Sequence, residues 1–333
     1  MQAIAEHEGV TPDFFRETIL AGGQPAVLRG LVADWPAVGH GNNSPAALAA
    51  YLKRLDAGKP VDFLAAPPEV AGDMFYREDM RGFNFDRSKQ RISTVLDALI
   101  AHIDNPAPPT LSMQSMPVEE GMPAFARENP LPLPQKANLQ RLWIGNKVSV
   151  APHFDLYENI ACVVAGRRRF TLFPPEQLPN LYVGPFDFSP AGAPVSMVKP
   201  NAPDFERYPR YRDALAAALT AELEPGDAVY IPYMWWHGVE SLTPFNMLCN
   251  FWWNDHRPAG SPFDAMMHAF VIFASLPQSQ RAIWRGMFDR YVFRTDGNPL
   301  DHLPPEHRGA LGGLDAAGSA AMKKWIAQNL MRG

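Results

Sequence analysis

The sequence predicts an α+β chain, mainly β, built on a double-sheet jelly roll or barrel with helices before and after it. Three observations carry this. Between about 139 and 253 the chain breaks into short apolar runs bounded by Gly, Pro or Asp-containing turns, as closed all-β architectures do. Proline numbers 34 of 333 residues, about twice the usual ~5%, which disfavours long uninterrupted helices and suits rigid turns. Helical periodicity is concentrated towards the two ends of the chain.

Within residues 11–29, Thr11 as cap and Pro12 at the first helical position open a short helix, and 26–29 reads as a strand. A Ser-Pro pair opens a second helix over 44–57, and Ser93 or Thr94 caps a third over 91–104. Pro-rich connections at 105–109 and 117–134 follow. Strand runs are expected at 142–144 and 148–150, separated by the hairpin-type pair Gly145-Asn146. Further strands are expected at 154–165, 168–173, 228–232, 236–241 and 246–253, with Pro174-Pro175 ending the second of these. Residues 178–212 form a Pro-rich insertion, and the Ala-rich 213–222 reads as helix. From 262 the pattern is helical again, over 262–275, 278–293 and 315–331, with a linker at 297–313. The chain therefore divides into a domain over 1–261 and a C-terminal helical region over 262–333. The apolar side chains of that region, Phe270, Trp284, Tyr291 and Trp325 among them, call for a partner surface, on the barrel or on a second subunit.

Composition narrows the function. A net charge of −5 gives no electrostatic footprint for nucleic acid or an anionic membrane. No stretch approaches the ~18 apolar residues needed to span a bilayer, and the N-terminus lacks the basic start and apolar core of a secretory signal. Cys162 and Cys249 lie inside apolar runs and read as two buried thiols, which suits a reducing compartment. A cytoplasmic location is the expectation.

The chemistry is sought around His237, which follows two tryptophans in a run that reads as a buried strand. Residues 151–159, APHFDLYEN, supply its partners. In an extended strand His153, Asp155, Tyr157 and Asn159 share one face, so an imidazole and a carboxylate can take adjacent positions on one ion. His237 supplies the third ligand. Two histidines and a carboxylate on one side of an ion form the facial triad of non-haem Fe(II) oxygenases, with positions left open. A His-x-Asp triplet alone is common, and it gains weight here from the Gly-Asp turn and Ile-Pro strand that precede His237. His7, His40, His102, His268, His302 and His307 sit in helices or polar loops without a role, and His256 reads as a loop residue. Trp235, Trp236, Trp252 and Trp253 are expected to fill the core and the rim of the cleft. The insertion 178–212 and the Met- and Ser-rich 111–127 are the expected substrate-recognising walls.

Several separated motifs, in order, resemble the JmjC-type cupin oxygenases, in particular the branch of the asparaginyl hydroxylase factor inhibiting HIF and its bacterial cupin-like relatives. They are PAVLRGLVADWPAV at 25–38, HFDLYENIACVVAGRRRFTLFPP at 153–175, LEPGDAVYIPYMWWHGVESL at 223–242 and NFWW at 250–253. The resemblance covers roughly residues 11–256. It implies a double-stranded β-helix core, an Fe(II) ion held by His153, Asp155 and His237, and 2-oxoglutarate with O2 as co-substrates. It also places Asn159 and Asn250 beside the chelating end of 2-oxoglutarate, and relatives of this kind often form homodimers through C-terminal helices.

Two positions depart from the family pattern. Arg168 stands where the family has a lysine, and Val150 where it has a threonine; both family residues bind the distal carboxylate of the keto acid. Strand parity puts Arg168 on the face of Phe170 and Leu172, away from Arg167, Arg169 and Thr171. A guanidinium turned towards a core needs an anion, either a protein carboxylate or the keto acid. The sequence thus predicts an Fe(II)- and 2-oxoglutarate-dependent oxygenase that hydroxylates an aliphatic C–H bond, of a protein or peptide side chain in preference to a small molecule. A 2-oxoglutarate-independent metal cupin acting on a small molecule, and a ligand-sensing cupin with a vestigial site, remain the alternatives.

Overall fold

The computed structural model describes residues 1–133, 139–255 and 260–330. It divides into two compact units, Met1–Asn254 and Asp255–Gly333.

Among the described residues the first unit carries fourteen strands: β1 (Gln2–Ala3), β2 (Ala5–Glu8), β3 (Ala26–Arg29), β4 (Pro60–Ala66), β5 (Asp86–Arg91), β6 (Thr110–Pro117), β7 (Leu139–Gly145), β8 (Ser149–His153), β9 (Glu158–Ala165), β10 (Arg168–Phe173), β11 (Leu219–Leu223), β12 (Ala228–Ile231), β13 (Trp236–Ser241) and β14 (Asn246–Trp253). They form a five-stranded sheet in the order β1-β11-β10-β13-β8 and a nine-stranded sheet in the order β2-β3-β12-β9-β14-β7-β6-β4-β5. From β7 onward successive strands change sheet at every step except β10 to β11, which is the winding of a double-stranded β-helix.

Alternation along each strand then decides what faces what. Val163, Phe170, Leu172, Val229, Val239 and Leu248 point between the sheets and form an inner core. Ile160, Cys162, Cys249 and Phe251 point to the other side of the large sheet, where helices Pro36–Asn43, Pro45–Leu55 and Ile92–Ala101 cover them. Cys162 and Cys249 are opposite each other in register, and both are free and buried.

Several sequence expectations need correction. Besides the expected strand at Ala26–Arg29, the unexpected strands β1, β2, β4, β5 and β6 precede 139. β5 reads DRSKQR, with no apolar alternation, because it is an exposed edge held to β4 by its backbone. Residues 111–127 are not a loop wall: β6 takes the first part, and Val118–Gly121 and Pro123–Glu128 are short helices. Gly145-Asn146 does not close a hairpin, since β7 pairs with β6 and β14 while β8 pairs with β13 in the other sheet. The Ala-rich stretch is helical only over Tyr211–Ala217. Residues Leu219–Leu223 pair with β10 as β11, ladder pairing overriding alanine's helical preference.

In the second unit, Ser261 caps helix Pro262–Phe273 by accepting from the Asp264 N–H at 3.1 Å. Helices Gln278–Met287 and Ala316–Leu330 follow, and Phe273 packs on Trp284 and Phe288. No described helix is long and apolar enough to cross a membrane.

Candidate metal centre

His153 closes β8 and His237 lies in β13, where the two are direct register partners with ring centroids 4.3 Å apart. The chain leaves the strand after His153, so the shared face expected for His153 through Asn159 does not extend along one strand. Residues 154–157 turn instead, and β9 starts on the other sheet. Asp155 still returns to the histidines, because the Met234 N–H donates to its carbonyl oxygen at 3.2 Å and holds the turn. Its Oδ2 lies 3.6 Å from His237 Nε2.

One ligand atom from each of His153, Asp155 and His237 fits within 4.8 Å of the others, the only such acid, histidine or cysteine trio among the described residues. The surroundings suit a cation. His153 Nδ1 lies 3.0 Å from the Ala151 carbonyl and His237 Nδ1 lies 3.1 Å from that of Trp235. With those nitrogens donating, both Nε2 lone pairs are free to ligate. Burial, reinforced by His153, pushes the His237 pKa down to about 4, so the ring is neutral as a ligand must be. Asp155 Oδ2 is buried without a hydrogen-bond partner, an anionic oxygen that a metal would satisfy.

The trio opens into a cavity of about 100 Å3 between the sheets, which also takes side chains from Asn159, Arg168 and Asn250. A single water needs roughly 10–15 Å3 on this measure, so the space admits a small molecule and no folded segment. Asn250 Nδ2 donates to Asn159 Oδ1 at 3.0 Å, leaving Asn159 Nδ2 and Asn250 Oδ1 buried and unpaired. Arg168, opposite Ser241 in register, is 7% exposed, and its Nε has no partner. Among the described residues it forms no salt bridge, whereas outward-facing Arg169 pairs with Glu222 at 2.6 Å and Glu240 at 3.2 Å. Burial lowers the Arg168 pKa to about 10, which leaves it charged at neutral pH.

A model of the cupin-like domain family matches residues 11–258. The chain belongs to that family, of the JmjC type. Its cupin-like domain is 30% identical over 268 residues to HSPB1-associated protein 1 of Rattus norvegicus, covering 73% of this chain and 51% of that protein. It is 27% identical over 275 residues to the bifunctional peptidase and (3S)-lysyl hydroxylase JMJD7 of Homo sapiens, covering 73% and 81%. With the lysine-specific demethylase JMJ31 of Arabidopsis thaliana it shares 31% over 181 residues, 52% of this chain and 30% of that one. Against HSPB1-associated protein 1 the chain spans about half of the relative's length or less.

All six residues singled out from the sequence thus line one cavity of the cupin-like domain, as does Val150. Trp236 and Trp253 are core residues, Trp235 is buried, and Trp252 lines the cavity with Tyr157 stacked on it at 5.9 Å. His256 lies outside the described residues, and none of the other six histidines joins a cluster of ligands. Ser112 and Gln114, from the expected 111–127 wall, line the cavity as well, whereas sequence reasoning missed Trp143 and Ser241. Parity carried the signal for Trp143: Leu142 and Ile144 alternate with it and face the outer core.

Proposed function

We propose that this cupin-like chain is an Fe(II)- and 2-oxoglutarate-dependent oxygenase that hydroxylates an aliphatic C–H bond of a protein or peptide side chain. One observation carries the reading: a His-Asp-His trio fit for a divalent metal shares a small cavity with a buried arginine that no described carboxylate neutralises. The hydroxylase and demethylase names of its relatives agree with it.

His153, Asp155 and His237 would hold the ion from one side. The unpaired amide edges of Asn159 and Asn250 would face the chelating end of the keto acid, and the Arg168 fork would take its distal carboxylate. When bound, the iron and keto acid would supply the dioxygen chemistry that C–H hydroxylation needs. The chain's own part is positioning and dryness: Val150, Phe170, Val239 and Leu248 wall the cavity with hydrocarbon and keep water from the reacting face.

Calorimetric titration of the Mn(II)-loaded protein with 2-oxoglutarate tests the proposal. Stoichiometric, Mn(II)-dependent binding is expected. A metal-loaded protein that ignores 2-oxoglutarate would point to the keto-acid-independent cupin, and failure to bind any divalent metal to the vestigial sensor.

A further inference from the structure

The large sheet carries a second arginine, Arg141, on β7 next to the cavity: it is not itself a lining residue, but its register partner Asn250 and Trp143, two residues on, both are. β6 is interrupted between Met113 and Met116 by a register shift, and Ser115 there adopts a left-handed backbone with φ of 46°. A non-glycine residue in that region is strained, and a bulge re-aims its neighbours. Gln114 lines the cavity with Ser112, two residues before it on the same face, and past the bulge the Ser115 carbonyl accepts a hydrogen bond from Arg141 Nη1 at 3.2 Å. Arg141 is the register partner of cavity-lining Asn250 and has the strand parity of cavity-lining Trp143, so its side chain leaves β7 on the inner face. Its Nε is buried with no partner, and so is the indole Nε1 of Trp252, one inward position along from Asn250 on β14. Among the described residues Arg141 has no salt bridge. Glu158, at the start of β9 and opposite Trp253 in register, is engaged by the Tyr230 hydroxyl at 2.7 Å.

We propose that Arg141 selects a substrate bearing a carboxylate, an acidic side chain or chain terminus, and disfavours a lysyl substrate. The inference rests on the oxygenase reading and deepens it. Two buried donors without acceptors, Arg141 Nε and Trp252 Nε1, ask for an acceptor-rich group, not another donor. Formal charge agrees. With a divalent ion and a keto-acid dianion bound, Asp155, Arg168 and the neighbouring Arg141 would leave one net positive charge. A substrate carboxylate neutralises it, whereas a lysyl ammonium doubles it in a region of low dielectric.

The test uses full-length protein loaded with Mn(II) and saturated with N-oxalylglycine, a 2-oxoglutarate mimic that occupies the metal and Arg168. Two pools of blocked pentapeptides, with Asp or Glu fixed at the centre in one and Lys in the other, are titrated by tryptophan fluorescence. The acidic pool is expected to bind about 10- to 100-fold more tightly. Arg141→Gln should erase that preference without changing N-oxalylglycine affinity, and Arg141→Lys, which keeps the charge, should retain part of it. Equal binding of the pools, a lysyl preference, or an acidic preference that survives Arg141→Gln in a folded variant would each overturn the inference. Failure of N-oxalylglycine to bind would count against the oxygenase reading instead; the pools titrated with Mn(II) alone would still decide the role of Arg141.

Discussion

At the scale of single residues, the site turns on which buried polar atoms lack partners. Asp155 Oδ2 and the Nε of Arg168 are both buried and unpaired in the protein alone. Left so, each costs about 1–3 kcal/mol or more, which makes them poor stabilisers and good ligand groups. Asp155→Ala should therefore abolish stoichiometric Mn(II) or Fe(II) binding while leaving the fold in place; full metal occupancy in that variant, by equilibrium dialysis, would remove Asp155 from the ligand set. Arg168→Ala should leave the metal bound and weaken 2-oxoglutarate by about 30- to 1000-fold, the worth of a charge-assisted bidentate contact of roughly 2–4 kcal/mol. Arg168→Lys should recover only part, because one ammonium cannot reproduce the fork. If Arg168 were instead structural, Arg168→Ala would lower the melting temperature and leave the dissociation constant where it was.

At the scale of elements, what could be read in advance depended on whether burial left a pattern. β9, β12 and β14 are buried on both faces and surfaced as apolar runs between turns, and in β10, where Arg169 faces outward, parity turned Arg168 inward. β5 is exposed and charged and left no pattern, and Asp155 reached its place through a turn that strand parity does not describe. Register across sheets was equally hidden: nothing local to Gly145-Asn146 tells that β7 and β8 part into different sheets. Gly166, in contrast, announces the β9–β10 turn, and its φ of +74° requires glycine. A methyl group there would meet the Phe245 carbonyl oxygen, the Thr243 hydroxyl and the Asn246 side-chain oxygen. Gly166→Ala should cost about 1–2 kcal/mol for the left-handed backbone and about 1–3 more for the collisions, lowering the melting temperature by roughly 5–15 °C. Calorimetry showing an unchanged melting temperature would mean the turn relaxes freely and does not fix the register of Arg168.

At the scale of the whole molecule, the second unit poses a problem that its own packing does not solve. Phe270, Val271 and Ile272 on the first helix, Ile283 and Trp284 on the second, and Trp325 on the last are all exposed by 40% or more. Scattered apolar residues are ordinary on a surface, but large ones repeated on three helices of one small unit are the mark of an interface. We propose that a second copy of the chain covers them, giving a homodimer through the C-terminal helical region. A closed two-fold dimer hides the same patch on both partners at once and leaves no sticky surface to propagate. Trp284 is a suitable anchor, since it lines an apolar hollow with Met287, Phe288, Tyr291, Val292 and Leu311, and tryptophan is enriched among residues that dominate binding energy. Light scattering at micromolar concentration should give about twice the chain mass of 37.0 kDa. The double variant Phe270→Glu with Trp284→Glu should give the single mass, because four charges would be buried at a two-fold interface without partners. Since the metal trio lies wholly within Met1–Asn254, the monomeric variant should still bind Mn(II) stoichiometrically. A wild-type chain that is monomeric at that concentration, or a variant that stays dimeric, would place the second copy elsewhere or remove it.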